Sequence, residues 1–185
     1  MARASWRPDR IGRTWLVLLL LALLGGCWYS DAPLIDAGHA VEVPFAGAYA
    51  DPDHGPAAFR ITALPDREYR FEQGSEQAKV RFLALEGGWY LYQIVDAQQA
   101  DAGAGKQTST LTFYNLVKWS GGHLVVHNPV CNASIDAIRG IEDTGEGCRI
   151  TGIRALKAAG RKQARALDRG ALTTDSQALV PWPGP

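Results

Sequence analysis

No Gly-x-Ser-x-Gly, no His-Glu-x-x-His, no phosphate-cradling glycine loop and no calcium-loop spacing occurs in the 185 residues. Those patterns are local traces of a hydrolase elbow, a zinc protease, a nucleotide site and an EF-hand, and without them no reaction announces itself. The one acidic glycine stretch, "IEDTGEG" from Ile141 to Gly147, is too short for a calcium loop. Cysteine is scarce: there are three, with no Cys-x-x-Cys pair. An excess of charge is missing too, since 19 basic residues face 19 acidic ones, and so balanced a chain gives no reason to expect nucleic acid as a partner. The longest apolar run, Trp15 to Leu24, has ten residues, about half of the roughly 20 that a spanning helix needs.

What is present begins at the amino end. Arg3, Arg7, Arg10 and Arg13, against the single acid Asp9, precede that run. A basic segment followed by a short apolar one is the pattern of an export signal. The uncharged interval from Thr14 to Ser30 is longer, 17 positions. That reaches the lower limit for a tilted span and leaves an uncleaved anchor, or a plain secreted chain, as alternatives.

Leu24-Gly25-Gly26-Cys27 resembles the bacterial lipobox, an aliphatic residue and two small ones before a cysteine. The resemblance covers the first 27 residues. It implies that residues 1–26 are a signal peptide and that Cys27 becomes an acylated first residue, carrying diacylglyceryl and a further chain such as palmitate. It also implies that the membrane is a partner through Cys27, in the cell envelope. Trp28 stands where inner-membrane lipoproteins of this type carry Asp, so the outer membrane is favoured. Several acyl chains hold a protein firmly where one holds it only marginally, at about 0.8 kcal/mol per buried methylene.

Without the signal, 159 residues remain, enough for one domain with a core of its own. Their charge is uneven. Trp28 to Cys148 carries 8 basic and 16 acidic residues, whereas Arg149 to Gly170 carries seven basic residues and only Asp168. Cys131 and Cys148 are expected to pair in an oxidising compartment. Closing their 16-residue interval stabilises the fold by about 3 kcal/mol in the chain-entropy model.

Strand signals fill the first two thirds of the domain. "AFRITAL" alternates Phe59, Ile61 and Ala63 with Arg60 and Thr62, "REYRF" sets Tyr69 and Phe71 on one face, and "AKVRFLAL" does the same with Val80 and Phe82. "WYLYQIV" is apolar on both faces and reads as central, and "TSTLTFYNLVKW" with "HLVVH" reads as a hairpin across Gly121-Gly122. The fold class expected is α+β: an antiparallel β-meander, either a curved sheet or a small barrel, with a C-terminal amphipathic helix and one disulfide. Residues 27–44 read as the lipidated cysteine and a tether, 45–170 as a single globular domain, and 171–185 as a disordered tail with three prolines. Asp96 to Ser109 reads as a polar, glycine-rich loop. "PFAGAY", Pro44 to Tyr49, resembles the Gly-x-aromatic lead-in to the first strand of lipocalin-like barrels, with Tyr49 in place of their usual Trp.

Few side chains suggest a site. His123 and His127 sit four apart on a strand, where about 3.3 Å per residue separates their backbones by roughly 13 Å, too far to share one zinc. "DPDHG", Asp51 to Gly55, reads as a turn, and Asn132-Ala133-Ser134 as a helix start. No catalytic residue, metal or cofactor is assigned. The segment Thr151 to Arg169 places Ile153, Leu156, Gly160, Ala164 and Leu167 on one helical face and Arg154, Lys157, Arg161, Arg165 and Arg169 on another. Those five cations are candidates for contact with anionic lipid or an acidic protein. The reading leans away from an enzyme and toward non-catalytic binding or scaffolding in a lipid-anchored envelope protein. Its alternatives are a lipocalin-like carrier of a small apolar ligand and an enzyme without a recognisable motif. Nothing in the sequence sets the oligomeric state.

Overall fold

The computed structural model describes residues 28–52, 55–74, 76–99 and 111–182. Residues 1–27, which contain the expected export signal and Cys27, lie outside the described residues, as do Asp53 and His54 of the "DPDHG" stretch, Ser75, residues 100–110, which hold the rest of the expected polar loop, and residues 183–185.

The protein is mostly β. Among the described residues eleven strands run in chain order: β1 Trp28–Ser30, β2 Gly47–Asp51, β3 Gly55–Ala63, β4 Glu68–Gln73, β5 Glu76–Ala84, β6 Trp89–Gln99, β7 Thr112–Ser120, β8 His123–His127, β9 Ile141–Asp143, β10 Cys148–Ile150 and β11 Ser176–Pro181. Two helices join them, the single turn α1 (Ala133–Asp136) and the four-turn α2 (Ile153–Asp168). Strands β2 to β8 form the expected antiparallel meander, β11 enters between β8 and β2, and β6 pairs with β7, so eight strands close into a barrel.

Alternation decides what fills it. From β6, Tyr90, Tyr92 and Ile94 point inward while Trp89, Leu91 and Gln93 point outward, which is why that strand is apolar on both faces. The lumen is packed with rings: Phe45 lies 5.1 Å from Phe82, 5.2 Å from Tyr90 and 5.6 Å from Trp119, and Phe71 lies 5.4 Å from Tyr92. Two of the hydroxyls among them accept hydrogen bonds, while the buried Asn115 Oδ1 has no partner among the described residues. Asn115 Nδ2 donates to Tyr92 Oη at 3.0 Å, and the Val43 amide donates to Tyr69 Oη at 2.9 Å.

A second core lies outside the barrel, between β5, β6 and β7 and the covering α2. Leu156, Ala159, Gly160 and Ala164 are buried there, together with Ala155 and Gln163, while Ile153 and Leu167 are only partly covered. The contact is close enough that a methyl on Gly160 would come within 2.7 Å of Leu91 Cδ1 and 2.9 Å of Leu85 Cδ1. Glycine therefore lets the helix axis approach the sheet, offsetting its poor helix propensity.

Three expectations need correction. Residues 28–44 are not a free tether. Trp28 is fully buried, β1 pairs with β7 on one side and β10 on the other, and buried Gln93 Oε1 accepts from the Leu34 and Ile35 amides at 2.7 Å each. Tyr114 Oη adds bonds to Ser30 Oγ at 2.7 Å and the Leu34 amide at 3.2 Å, and burial raises its phenol to a pKa of about 12. The Leu34 and Ile35 amides and the Ser30 hydroxyl of this segment are thus met by buried side chains, while Asp31, Asp36 and Glu42 face solvent. Likewise 171–185 is not all tail: β11 supplies the last stave of the barrel, with Leu179 buried in the lumen. The amphipathic helix is therefore not the final element. Finally, Asp96 to Gln99 belong to β6, because β5 opposite offers a full register from Lys79 to Glu76, and cross-strand bonding outweighs weak strand propensity.

The disulfide forms as expected, Cys131 to Cys148 with 5.4 Å between Cα atoms. The loop that it closes is more ordered than its sequence suggests. It holds α1 and the β9–β10 hairpin, which extends the sheet beyond β1. Arg149 on β10 pairs with Asp31 and Glu142, and the guanidinium bond holds the Asp31 carboxyl below the usual carboxylate range.

Two glycine substitutions separate strain from packing. Gly88 has φ +76°, and a Cβ there would stand 2.6 Å from the Trp119 carbonyl oxygen, whose own amide donates to Gly88 O at 2.9 Å. Gly88→Ala is expected to cost at least about 2 kcal/mol by urea denaturation. Gly160→Ala is expected to stay within about 1 kcal/mol of wild type, because the leucine ends can move and Ala restores helix propensity. Equal losses at the two sites would refute this account. Replacing Cys131 and Cys148 together by Ser should remove about 3 kcal/mol, and an unchanged urea midpoint would show that α1 and the β9–β10 hairpin are held by packing alone.

Candidate functional site

The lumen is filled, and two concavities among the described residues lie outside it. One faces the β3–β4 turn at the barrel end that residues 41–46 cover, lined by Glu42, Val43, Leu64, Arg67 and Tyr69 among others. It is the larger, about 540 Å³, but its polar groups are engaged: Tyr69 Oη accepts from the Val43 amide and Arg67 Nη1 donates to the Ala40 carbonyl at 3.0 Å.

The other lies between α1 and the C-terminal half of α2. Asn132 caps α1, its Oδ1 accepting from the Ser134 and Ile135 amides at 3.0 and 3.1 Å. The Asn-Ala-Ser triplet is thus a helix start, as its composition suggested. Just before it, the Val130 carbonyl accepts from Trp28 Nε1 at 3.0 Å and the Val130 amide donates to Gln163 Oε1 at 3.3 Å. With the disulfide at Cys131, these bonds fix the wall of a pocket of about 190 Å³. Lys162 and Arg169 flank it, Ala166 and Leu172 form an apolar side, and no carboxylate lines it.

Gln163 is the unusual member. Its side chain is 1% exposed, and its Nε2 has no hydrogen-bond partner among the described residues. The bond from Val130 to Oε1 fixes which end of the amide is which. A buried donor left without a partner costs about 1–3 kcal/mol. The sequence reading assigned this position to neither the apolar nor the basic face of the helix and so missed it. The available signal was a glutamine one turn after Gly160, on the flank of the buried stripe.

The five cations of α2 do not act as one face. Arg161 and Arg165 reach Glu86 of the β5–β6 turn, at 3.7 and 3.1 Å, so their charge is locally answered. Arg154 is exposed and Lys157 half-covered in the first half of the helix. Arg169, at the C-cap, lines the pocket. Lys162, outside the expected set, donates to the Ser134 carbonyl at 2.7 Å and keeps further protons to offer.

At the end of α2, Asp168 accepts from Trp89 Nε1 at 3.0 Å and from Lys118 Nζ at 3.1 Å, and Lys118 sits 5.0 Å from the Trp89 ring centre. His127 packs against the same ring at 5.2 Å, with its Nδ1 3.0 Å from Thr174 Oγ1. His123, on the same strand, is exposed, so the two imidazoles do different things. No group of three or more metal-ligating side chains is found among the described residues. No helix among them is long and apolar enough to cross a membrane.

No protein family matches this chain, and neither a curated protein nor a solved structure resembles it significantly.

Burial holds the His127 pKa below its ordinary 6.5. The unfolded chain takes up that proton first as pH falls, so the stability held by neutral His127 is complete above about 6.5 and declines as pH drops toward the folded value. Thermal midpoints between pH 7.5 and 5 should accordingly fall more steeply for wild type than for His127→Gln. Parallel slopes would show that the imidazole contributes nothing in that window.

Proposed function

We propose that this is a lipid-anchored protein of the bacterial cell envelope, held by an acylated Cys27 and acting by binding or scaffolding rather than by catalysis. The observation that carries the reading is the lipobox-like Leu24-Gly25-Gly26-Cys27 directly before a buried strand: Trp28, covalently next to Cys27, is fully covered in the outer core. A disulfide in the same domain supports an exported location.

The strand also supplies a direction. Trp28 stands opposite Tyr114 and Ser30 opposite Thr112, so the amino end of β1 faces along β7 toward Lys118 and Ser120. The C-terminal half of α2, the Glu86 turn and the pocket cluster at that end. An anchor at Cys27 would then hold that end of the barrel near the membrane, with no long spacer between. Of the basic residues, Lys162 and Arg169 lie on that side free of carboxylate partners among the described residues, whereas Arg154 and Lys157 lie toward the other end of the helix.

A barrel packed with aromatic rings favours a rigid scaffold over a lumen that carries a ligand. Mass spectrometry of the native protein tests the anchor. The mature chain is expected to start at a diacylglyceryl-modified Cys27, and Cys27→Ser to accumulate with residues 1–26 attached. A mature wild-type protein that retains Met1 to Gly26 would overturn the reading.

A further inference from the structure

We infer that the pocket between α1 and α2 is a binding site for a phosphate-type oxyanion, with Gln163 Nε2, Lys162 and Arg169 as its donors. Three independent features converge. The first is a neutral donor that is buried and unpartnered: Gln163 stands 1% exposed and lines the pocket, its Oε1 is taken by the Val130 amide, and its Nε2 is unbonded among the described residues. A buried donor on a residue that lines a pocket calls for an acceptor atom there. The second is charge. Lys162 and Arg169 flank the pocket and no carboxylate lines it, so the acceptor that fits best is anionic. The third is size and polarity. About 190 Å³ holds the equivalent of about six waters at roughly 30 Å³ each, and Ala166 and Leu172 offer an apolar side to whatever carries the oxyanion.

The Lys162 ammonium donates one proton to the Ser134 carbonyl at 2.7 Å, which orients it without exhausting it. Arg169 sits at the C-cap of α2, where its fork can pair with two oxygens of one phosphate. A soluble phosphate ester and a phospholipid headgroup share this chemistry. The headgroup source rests on the anchor proposed above, which would bring this end of the barrel to the membrane; the site itself does not.

The test uses the full-length protein, ¹⁵N-labelled, in a maltoside micelle that contains no phosphate, with the Gln163 side-chain amide as reporter. One arm titrates inorganic phosphate and glycerol 3-phosphate; the other compares discs of phosphatidylglycerol with the micelle. A saturable shift of the Gln163 amide in the first arm supports a soluble ligand, and a shift confined to the second supports the headgroup. Lys162→Gln with Arg169→Gln alters exposed groups, leaves the core intact, and is expected to weaken binding about tenfold or more, the effect of losing charged donors. Gln163→Glu, nearly isosteric, should abolish it by setting a carboxylate against the anion. The inference fails if the Gln163 amide moves in neither arm while the rest of the spectrum shows a folded protein, or if the double variant binds as tightly as wild type. Acylation of Cys27 is read separately by mass, so loss of the anchor reading would not be mistaken for loss of this one.

Discussion

Closure is the constraint on which the rest of the molecule depends. Seven strands of the meander leave two open edges, at β2 and β8, and each edge exposes a row of unpaired amides and carbonyls. β11 fills the gap by bonding to both, Leu179 opposite Leu124 on one side and Val180 opposite Ala50 on the other. On the opposite side of the barrel, β6 and β7 pair from Trp89 opposite Lys118 to Gln93 opposite Tyr114. Once the sheet is closed its inner face has a fixed volume, and the rings of Phe45, Phe71, Phe82, Tyr90, Tyr92 and Trp119 fill it at ordinary aromatic separations. Chemistry is thereby moved to the outside.

There β7 has a second duty. Its first residues, Thr112 to Tyr114, pair with β1, while Leu116 to Ser120 pair with β8. The strand splits the ladder and so carries the annex of β1, β10 and β9 away from the barrel wall. The annex and α2 enclose the outer core, and the disulfide ties the loop before α1 to β10. Trp28 is the hinge pin of this arrangement. It is buried, it bonds the Val130 carbonyl, and Val130 in turn positions Gln163. The amino end of the domain, the disulfide and the pocket are thus one connected structure, and a lipid on Cys27 would act on it directly rather than through a flexible spacer.

Much of the barrel was legible in the sequence. Alternation at Phe59–Ala63, Tyr69–Phe71 and Val80–Phe82, and the two-faced apolar run at Trp89–Val95, mark strands because a pleated backbone sends successive side chains to opposite faces. The cysteine pair was legible because the chain offers one partner for each after Cys27 is set aside. Two segments were misread for the same reason. Residues 28–44 and 176–181 carry polar residues, prolines and no period, yet they are held by hydrogen bonds from groups far along the chain, Gln93 and Tyr114 for the first, β2 and β8 for the second. A strand whose pairing is entirely non-local has no obligation to show a local signature.

The same division applies to the site. The helical period of α2 determined that Leu156, Gly160 and Ala164 would face the sheet and that a basic surface would face away, because 3.6 residues per turn is a property of the backbone itself. Which cations are answered by Glu86, which of them border a pocket, and that Gln163 is buried with an open donor were decided by how α2 sits against α1 and the barrel. The sequence by itself determined the export signal pattern, the lipobox resemblance, the meander and the disulfide pair, each written within a short stretch or in a residue count. Only the tertiary structure decided barrel closure, the burial of Trp28 and the pocket, because each depends on atoms that come together across about 30 to 130 residues of chain, a range over which packing and hydrogen bonding outweigh local preference.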